Sequence, residues 1–322
     1  MLSLKNSTIL VTGATGLIGK ALIATIHKLE PSCHIIALVH SLEKAKLYFK
    51  QEDWLSIIEA DVNNPFSVDN NVDYIIHGAS VTSSKKFVEE PVTTILTSIN
   101  GTRNLLELAR EKNVKSFVYL STMEIYGAPE TDEKILETSV CNIDSMQKRS
   151  SYPESKRLCE TLCTAYYTQF DVPAKVVRLT QTIGPGIEYN DGRVFAEFAR
   201  CAIEKKDIIL HTKGLTKRMY ISTDDAAYAI LDVLLKGENG LAYNAANEET
   251  YCTVFEMAQL VAEKICNNNI SVKIVEEDTE KFGYAPVLKM NLDTKRLKTL
   301  GWQAKDSLEE MYVKLIESMK GK

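Results

Sequence analysis

The stretch Ile9–Gly19, ILVTGATGLIG, constrains this chain more than any other. A short apolar run leads into Gly13, Gly16 and Gly19, spaced G-x-x-G-x-x-G, and a helical pattern follows over Lys20–Leu29. Strand, tight glycine turn and helix, in that order, make a βα unit whose helix N-terminus receives a pyrophosphate. Gly13 permits the sharp turn off the strand. Gly16 lets the backbone approach a phosphate, and Gly19 brings the helix close to the sheet.

The pattern continues through the first half. Strands are expected at His34–His40, Trp54–Ala60, Asp73–His77, Lys115–Leu120 and Ala174–Leu179, and helices at Leu42–Phe49, Val92–Lys112 and Tyr152–Gln169. Alternation with short connections predicts a parallel sheet covered on both faces. A polar loop spans Gly127–Arg149, and the rhythm changes after Gly184-Pro185-Gly186. Beyond it, helices are expected at Arg193–Lys205, from Asp224-Asp225 through Leu235, at Val254–Cys266 and at Ser307–Met319. Strands are expected at Ile208–His211, Met219–Thr223, Leu241–Ala245 and Ser271–Val275. The fold class is therefore α/β: a Rossmann-like doubly wound parallel sheet over 1–180, with elements of about 215–247 rejoining it, and a small C-terminal α/β substrate-binding cap mainly over 181–322.

Composition narrows the class of partner. The 322 residues include 45% hydrophobic and 25% charged side chains, with a formal net charge of −5, ordinary for a soluble globular protein. Without a block of like charge, neither nucleic acid nor a membrane is an expected partner. No stretch approaches a membrane span, and the N-terminus enters a strand without a signal-peptide pattern. Cys33, Cys141, Cys159, Cys163, Cys201, Cys252 and Cys266 contain no Cys-x-x-Cys and read as reduced thiols of a cytoplasmic protein. His, Cys and carboxylate spacing offers no metal cluster.

The chemistry concentrates at Tyr152-Pro-Glu-Ser-Lys156. Positions four apart share a helix face, which sets a phenol beside an ammonium. An ammonium there favours the phenolate, so Tyr152 serves as an acid or base while a dinucleotide exchanges hydride. Thr122 ends a buried-looking strand in LSTMEIYG, where ligands of a parallel sheet sit, and its hydroxyl can meet the same substrate oxygen. Glu124 is either a second acid/base group or a solvated loop carboxylate.

These pieces resemble the extended short-chain dehydrogenase/reductase superfamily, in its NAD-dependent nucleotide-sugar epimerase/dehydratase/decarboxylase branch. The matching segments are VTGATGLIG (Val11–Gly19), Asp61-Val62, HGAS (His77–Ser80), STMEIYG (Ser121–Gly127), YPESK (Tyr152–Lys156), RLTQTIGPG (Arg178–Gly186), KRMYISTDD (Lys217–Asp225) and LDTKRLKTLGW (Leu292–Trp302). The resemblance implies that Gly13, Thr15, Gly16, Leu17, Ile18 and Gly19 line the cofactor pyrophosphate. It puts Asp61 and Val62 at the adenine and Gly78, Ala79 and Ser80 along the ribose and pyrophosphate. Lys156 reaches the nicotinamide ribose, and Thr122, Tyr152 and Lys156 form the catalytic set. Arg218 matches an arginine that binds the sugar nucleotide's diphosphate, and Gln181 stands where many members have an asparagine near it. The resemblance also implies a homodimer, with the helices of Val92–Lys112 and Tyr152–Gln169 pairing across a two-fold axis.

Departures from the family pattern refine the reading. Dehydratases carry Thr-Asp-Glu where this chain has Thr122-Met123-Glu124, and methionine cannot donate a proton. Glu124 matches a glutamate of the decarboxylases. After the second strand, Val39-His40-Ser41 replaces the acidic residue that binds a ribose 2′-OH. His40, with Lys44 nearby, tolerates a 2′-phosphate, so NADP stays open beside the expected NAD. The expected activity is epimerisation of a nucleoside-diphosphate sugar through a transient keto-sugar. The alternatives are decarboxylation or dehydration through Glu124, keto-sugar reduction, and a non-catalytic dinucleotide sensor.

Overall fold

A computed structural model describes residues 2–50, 52–140, 142–275 and 287–321, so Cys141 lies outside the described residues. The first half runs β1 (Thr8–Thr12), α1 (Leu17–Leu29), β2 (His34–Val39), α2 (Leu42–Lys46), β3 (Leu55–Glu59), β4 (Tyr74–His77), α3 (Ser84–Glu89), α4 (Pro91–Lys112), β5 (Ser116–Thr122), α5 (Ser151–Phe170) and β6 (Ala174–Leu179). The second half runs β7 (Gln181–Ile183), α6 (Val194–Glu204), β8 (Ile208–Leu210), β9 (Lys217–Ser222), α7 (Thr223–Lys236), β10 (Ala242–Ala245), β11 (Asn247–Thr253), α8 (Val254–Leu260), β12 (Val272–Ile274), β13 (Lys289–Met290), α9 (Lys295–Lys298) and α10 (Leu308–Lys320).

The central sheet is a seven-stranded Rossmann-like one, ordered β3-β2-β1-β4-β5-β6-β10, with every pair parallel. Alternate side chains point to opposite faces. Ile9 and Val11 therefore join Leu22, Ile26 and Ile230 on the side of α1 and α7, while Leu10 joins Leu105 and Cys163 on the side of α4 and α5. Strand order reverses between β1 and β4, which makes the crevice beyond their carboxyl ends the expected ligand site.

A second sheet has β9 in its middle, with antiparallel β11 along one side and parallel β7 and β13 along the other. Two of these strands continue strands of the first sheet: β7 follows β6 after Thr180, and β11 follows β10 after Ala246. Within 215–247, α7 packs on α1 and β10 extends the central sheet, whereas β9 belongs to the second sheet. α8 continues as a π-helical turn over Val261–Ile265. β8 and β12 pair in parallel, and α6, α8 and α10 bury Phe198, Met257 and Met311 in a separate core.

Candidate active site

β1 ends at Thr12, whose hydroxyl shapes the turn after β4. It accepts from the N–H groups of Gly78 (3.2 Å) and Ala79 (3.1 Å) and lies 2.8 Å from His77 Nδ1. With two donors on its oxygen, the hydroxyl gives its proton to Nδ1. His77 is thus a neutral ring, and burial, helped by the Lys156 charge, pushes its pKa down to about 3. Gly13 faces this turn at φ +69°, where an added Cβ would lie 2.8 Å from the Gly78 backbone and 2.9 Å from Ala79 N.

Gly16 caps α1 without a side-chain hydrogen bond, leaving the first helical N–H groups toward the crevice. Thr15 is half-buried beside it. Leu17 packs on the core of the second half, Ile18 on the central core, and Gly19 is buried against the turn. Asp61 and Val62 follow β3. The Asp61 carboxylate accepts from Asn63 N–H at 2.9 Å, and the Val62 carbonyl accepts from Asn104 Nδ2 at 2.9 Å. Ser80 donates to the Val81 carbonyl at 3.3 Å, and His40 is exposed just past β2. These residues border the carboxyl ends of adjacent strands. Their close backbone approach and free helix N-terminus fit a dinucleotide.

Thr122 closes β5 and caps a single 3₁₀ turn, Met123–Tyr126, by accepting from Glu124 N–H at 3.3 Å. α5 begins at Ser151, so Tyr152 and Lys156 stand one turn apart at its start, both buried. The Thr122 side chain faces the Tyr152 phenol and favours its ionised form. Lys156 Nζ donates to the Leu120 carbonyl at 2.8 Å and lies 4.7 Å from the Tyr119 ring centre and 5.9 Å from that of Tyr152.

The electrostatics differ from the expectation that Lys156 favours the phenolate. Burial holds the Tyr152 phenol well above its ordinary range, and the Glu124 charge adds to this; Thr122 and Arg149 oppose it without cancelling it. Burial also brings Lys156 down to about 8. Desolvation of both partners outweighs their spacing on the helix.

Two neighbours of Tyr152 escape the sequence reading. Phe87 of α3 stacks flat on its ring, with centres 4.1 Å apart and planes 7° from parallel, and Ser151 fastens α3 by donating to the Phe87 carbonyl at 2.9 Å. Arg149 forks onto Glu124, Nη1 to Oε2 at 2.6 Å and Nη2 to Oε1 at 3.3 Å, and lies 5.7 Å over Phe87. Nothing in the sequence marks either residue, because only tertiary folding brings them to Tyr152.

On the other side, Gln181 begins β7 and Arg218 lies on adjacent β9. Gln181 Oε1 and Arg218 Nε are buried without hydrogen-bond partners among the described residues. Met123 is buried with Met219, Met290 and Leu292.

The sequence model of the NAD dependent epimerase/dehydratase family matches residues 9–246. The chain belongs to this family. NAD is accordingly its cofactor. The chain is 29% identical over 308 residues to UDP-glucuronic acid decarboxylase 5 of Arabidopsis thaliana, covering 95% of this chain and 87% of that protein. The fold matches UDP-glucose 4-epimerase of Thermotoga maritima, solved with UDP-glucose, at TM-score 0.82 and 23% identity, covering 98% of this chain and 99% of that one. It also matches dTDP-glucose 4,6-dehydratase of Bacillus anthracis, solved with NAD, at TM-score 0.79 and 20% identity, covering 98% and 97%. No helix among the described residues is long and apolar enough to cross a membrane.

Proposed function

We propose that this protein epimerises a nucleoside-diphosphate sugar through a transient ketone, acting as a cytoplasmic homodimer. The observation that carries the reading is the burial of Tyr152 and Lys156 one helical turn apart at the start of α5, beside the carboxyl end of β5, where the Lys156 Nζ donates to the Leu120 carbonyl. NAD, when bound, would supply the hydride acceptor and donor for the sugar carbon. Tyr152 removes the proton of the hydroxyl being oxidised, at C4, and returns it once the ketone has turned its other face. Thr122 orients that hydroxyl. Lys156 holds the nicotinamide ribose.

Gly13, Thr15, Gly16, Leu17, Ile18 and Gly19 hold the pyrophosphate. Asp61 and Val62 meet the adenine, Gly78, Ala79 and Ser80 line the ribose and pyrophosphate, and His40 lies near the adenosine ribose. Arg218 and Gln181 take the sugar nucleotide's diphosphate, which gives the unpartnered Arg218 Nε–H an acceptor. The UDP-glucose in the Thermotoga structure is consistent with such a substrate.

Glu124 and the Arabidopsis relative favour a second reading, decarboxylation. A C4 ketone makes a neighbouring C5 carboxylate a β-keto acid, which loses carbon dioxide readily, so the first step is shared. Mass spectrometry of UDP-, dTDP-, CDP- and GDP-sugars incubated with protein and NAD separates the outcomes. Unchanged mass with altered retention and no net cofactor consumption supports epimerisation. Loss of carbon dioxide supports the second reading, and loss of water contradicts both. For the homodimer, the exposed Val92, Leu96 and Leu158 on α4 and α5 supply an apolar contact, and a monomer by sedimentation at micromolar concentration contradicts it.

A further inference from the structure

Glu124 and Arg149 reach Tyr152 from opposite directions along the chain. Glu124 lies in the turn directly after Thr122, and Arg149 in the 3₁₀ turn Lys148–Ser150 that leads into α5. The guanidinium grips both carboxylate oxygens and lies over Phe87, the ring stacked on Tyr152. A bidentate fork fixes the carboxylate in direction as well as in charge. We propose that the Glu124–Arg149 ion pair sets when Tyr152 releases its proton, both members being positioning residues that act through the tyrosine. This rests on the reading of Tyr152 as the acid and base of the reaction.

The groups facing Tyr152 define the balance. Glu124 comes from the turn after β5, Arg149 from the segment before α5, Lys156 from α5 itself, and Tyr119 and Thr122 from β5. α3 contributes the uncharged Phe87 ring. An anion beside a phenol keeps the proton on oxygen, and a cation helps it leave to water. Glu124 therefore adds to burial in keeping the phenol protonated. Arg149 limits that restraint and keeps the carboxylate from turning onto the sugar. Both side chains are partly exposed, 29% for Glu124 and 45% for Arg149, so solvent screens the pair and each effect is moderate.

The test follows Tyr152 directly, by carbon-13 NMR of tyrosine labelled at Cζ, with Tyr152→Phe identifying the resonance. Glu124→Gln is expected to begin titrating about one pH unit below the unaltered protein. Arg149→Met shifts the onset in the opposite sense, and adding it to Glu124→Gln moves that variant's titration back up, which keeps the comparison within reach of alkaline pH. Arg149→Lys, which keeps the charge, stays near the unaltered protein. The alkaline-rising limb of kcat/KM, measured with UDP-glucose or UDP-glucuronic acid, shifts in the same order. Shifts of the same sign for Glu124→Gln and Arg149→Met, or none, overturn the proposal and leave the pair a structural tie. If Tyr152→Phe keeps normal turnover, the reading of Tyr152 fails instead, whatever the titrations give.

Discussion

Replacing Gly19 by alanine pits two effects against each other. Gly19 is the third residue of α1, and inside a helix alanine is favoured over glycine by about 0.5–1 kcal/mol. On propensity alone the variant would be more stable. The added Cβ, however, would stand 2.7 Å from Ala14 Cα and 2.8 Å from Ala14 C, and would overlap the Gly13 carbonyl oxygen. All three neighbours are backbone of the glycine turn, with no side-chain end to swing aside. Overpacking of this kind costs about 1–3 kcal/mol, so the net expectation is a loss of about 1–2 kcal/mol. The strain is relieved only by moving the turn off the helix N-terminus, where the pyrophosphate is to bind. NAD affinity should then fall about tenfold or more, equivalent to about 1.4 kcal/mol. Urea unfolding and calorimetric titration with NAD measure the two quantities. Gly192→Ala is the control, because nothing lies within 4 Å of its Cβ. A Gly19→Ala protein of equal or greater stability, with unchanged NAD affinity, would refute the packing argument.

Two further predictions concern the frame around the site. His77 is neutral when folded, with a pKa of about 3, whereas an unfolded histidine takes its proton near pH 6.5. Below that value the unfolded chain binds the extra proton, so this contribution to stability is lost as pH falls, by about 2 kcal/mol at about pH 5. His77→Gln should flatten the acid side of the urea-midpoint profile, and parallel profiles would count against a buried neutral ring. Arg178 Nη2 and Glu160 Oε2 lie 2.7 Å apart, with side chains only 11% and 12% exposed. Glu160→Gln should cost about 3–5 kcal/mol in urea unfolding by leaving the guanidinium underpaired, and a loss below about 1 kcal/mol would contradict this.

What the sequence discloses depends on how far the contacts reach. The glycine turn is legible because strand, turn and helix are contiguous and each glycine has a local reason. Tyr152 and Lys156 are legible because helical spacing puts them together, and Thr122 because a strand's carboxyl end is a known place in a parallel sheet. β11 is not legible in the sequence: NEETYCT has no apolar alternation, and antiparallel pairing with β9 makes it a strand. β7 is three residues long and hidden behind β6. α3 is a six-residue helix in a polar run, so its Phe87 gave no sign of meeting Tyr152. The same limit applies to electrostatics. Spacing sets an ammonium near a phenol, but the burial that raises Tyr152 and lowers Lys156 comes from the whole packed core.

The most direct comparison is Tyr152→Phe against the unaltered protein, each loaded with NAD and mixed with the sugar nucleotide that the mass-spectrometric panel shows to be altered. NADH absorbance reports the transient oxidation of the sugar, and calorimetry reports NAD affinity. The prediction is a loss of oxidation rate by about two to four orders of magnitude with NAD affinity unchanged, because only the phenolic oxygen is removed and the ring still stacks on Phe87. Near-normal oxidation by the Tyr152→Phe protein would contradict the central claim that Tyr152 carries the proton.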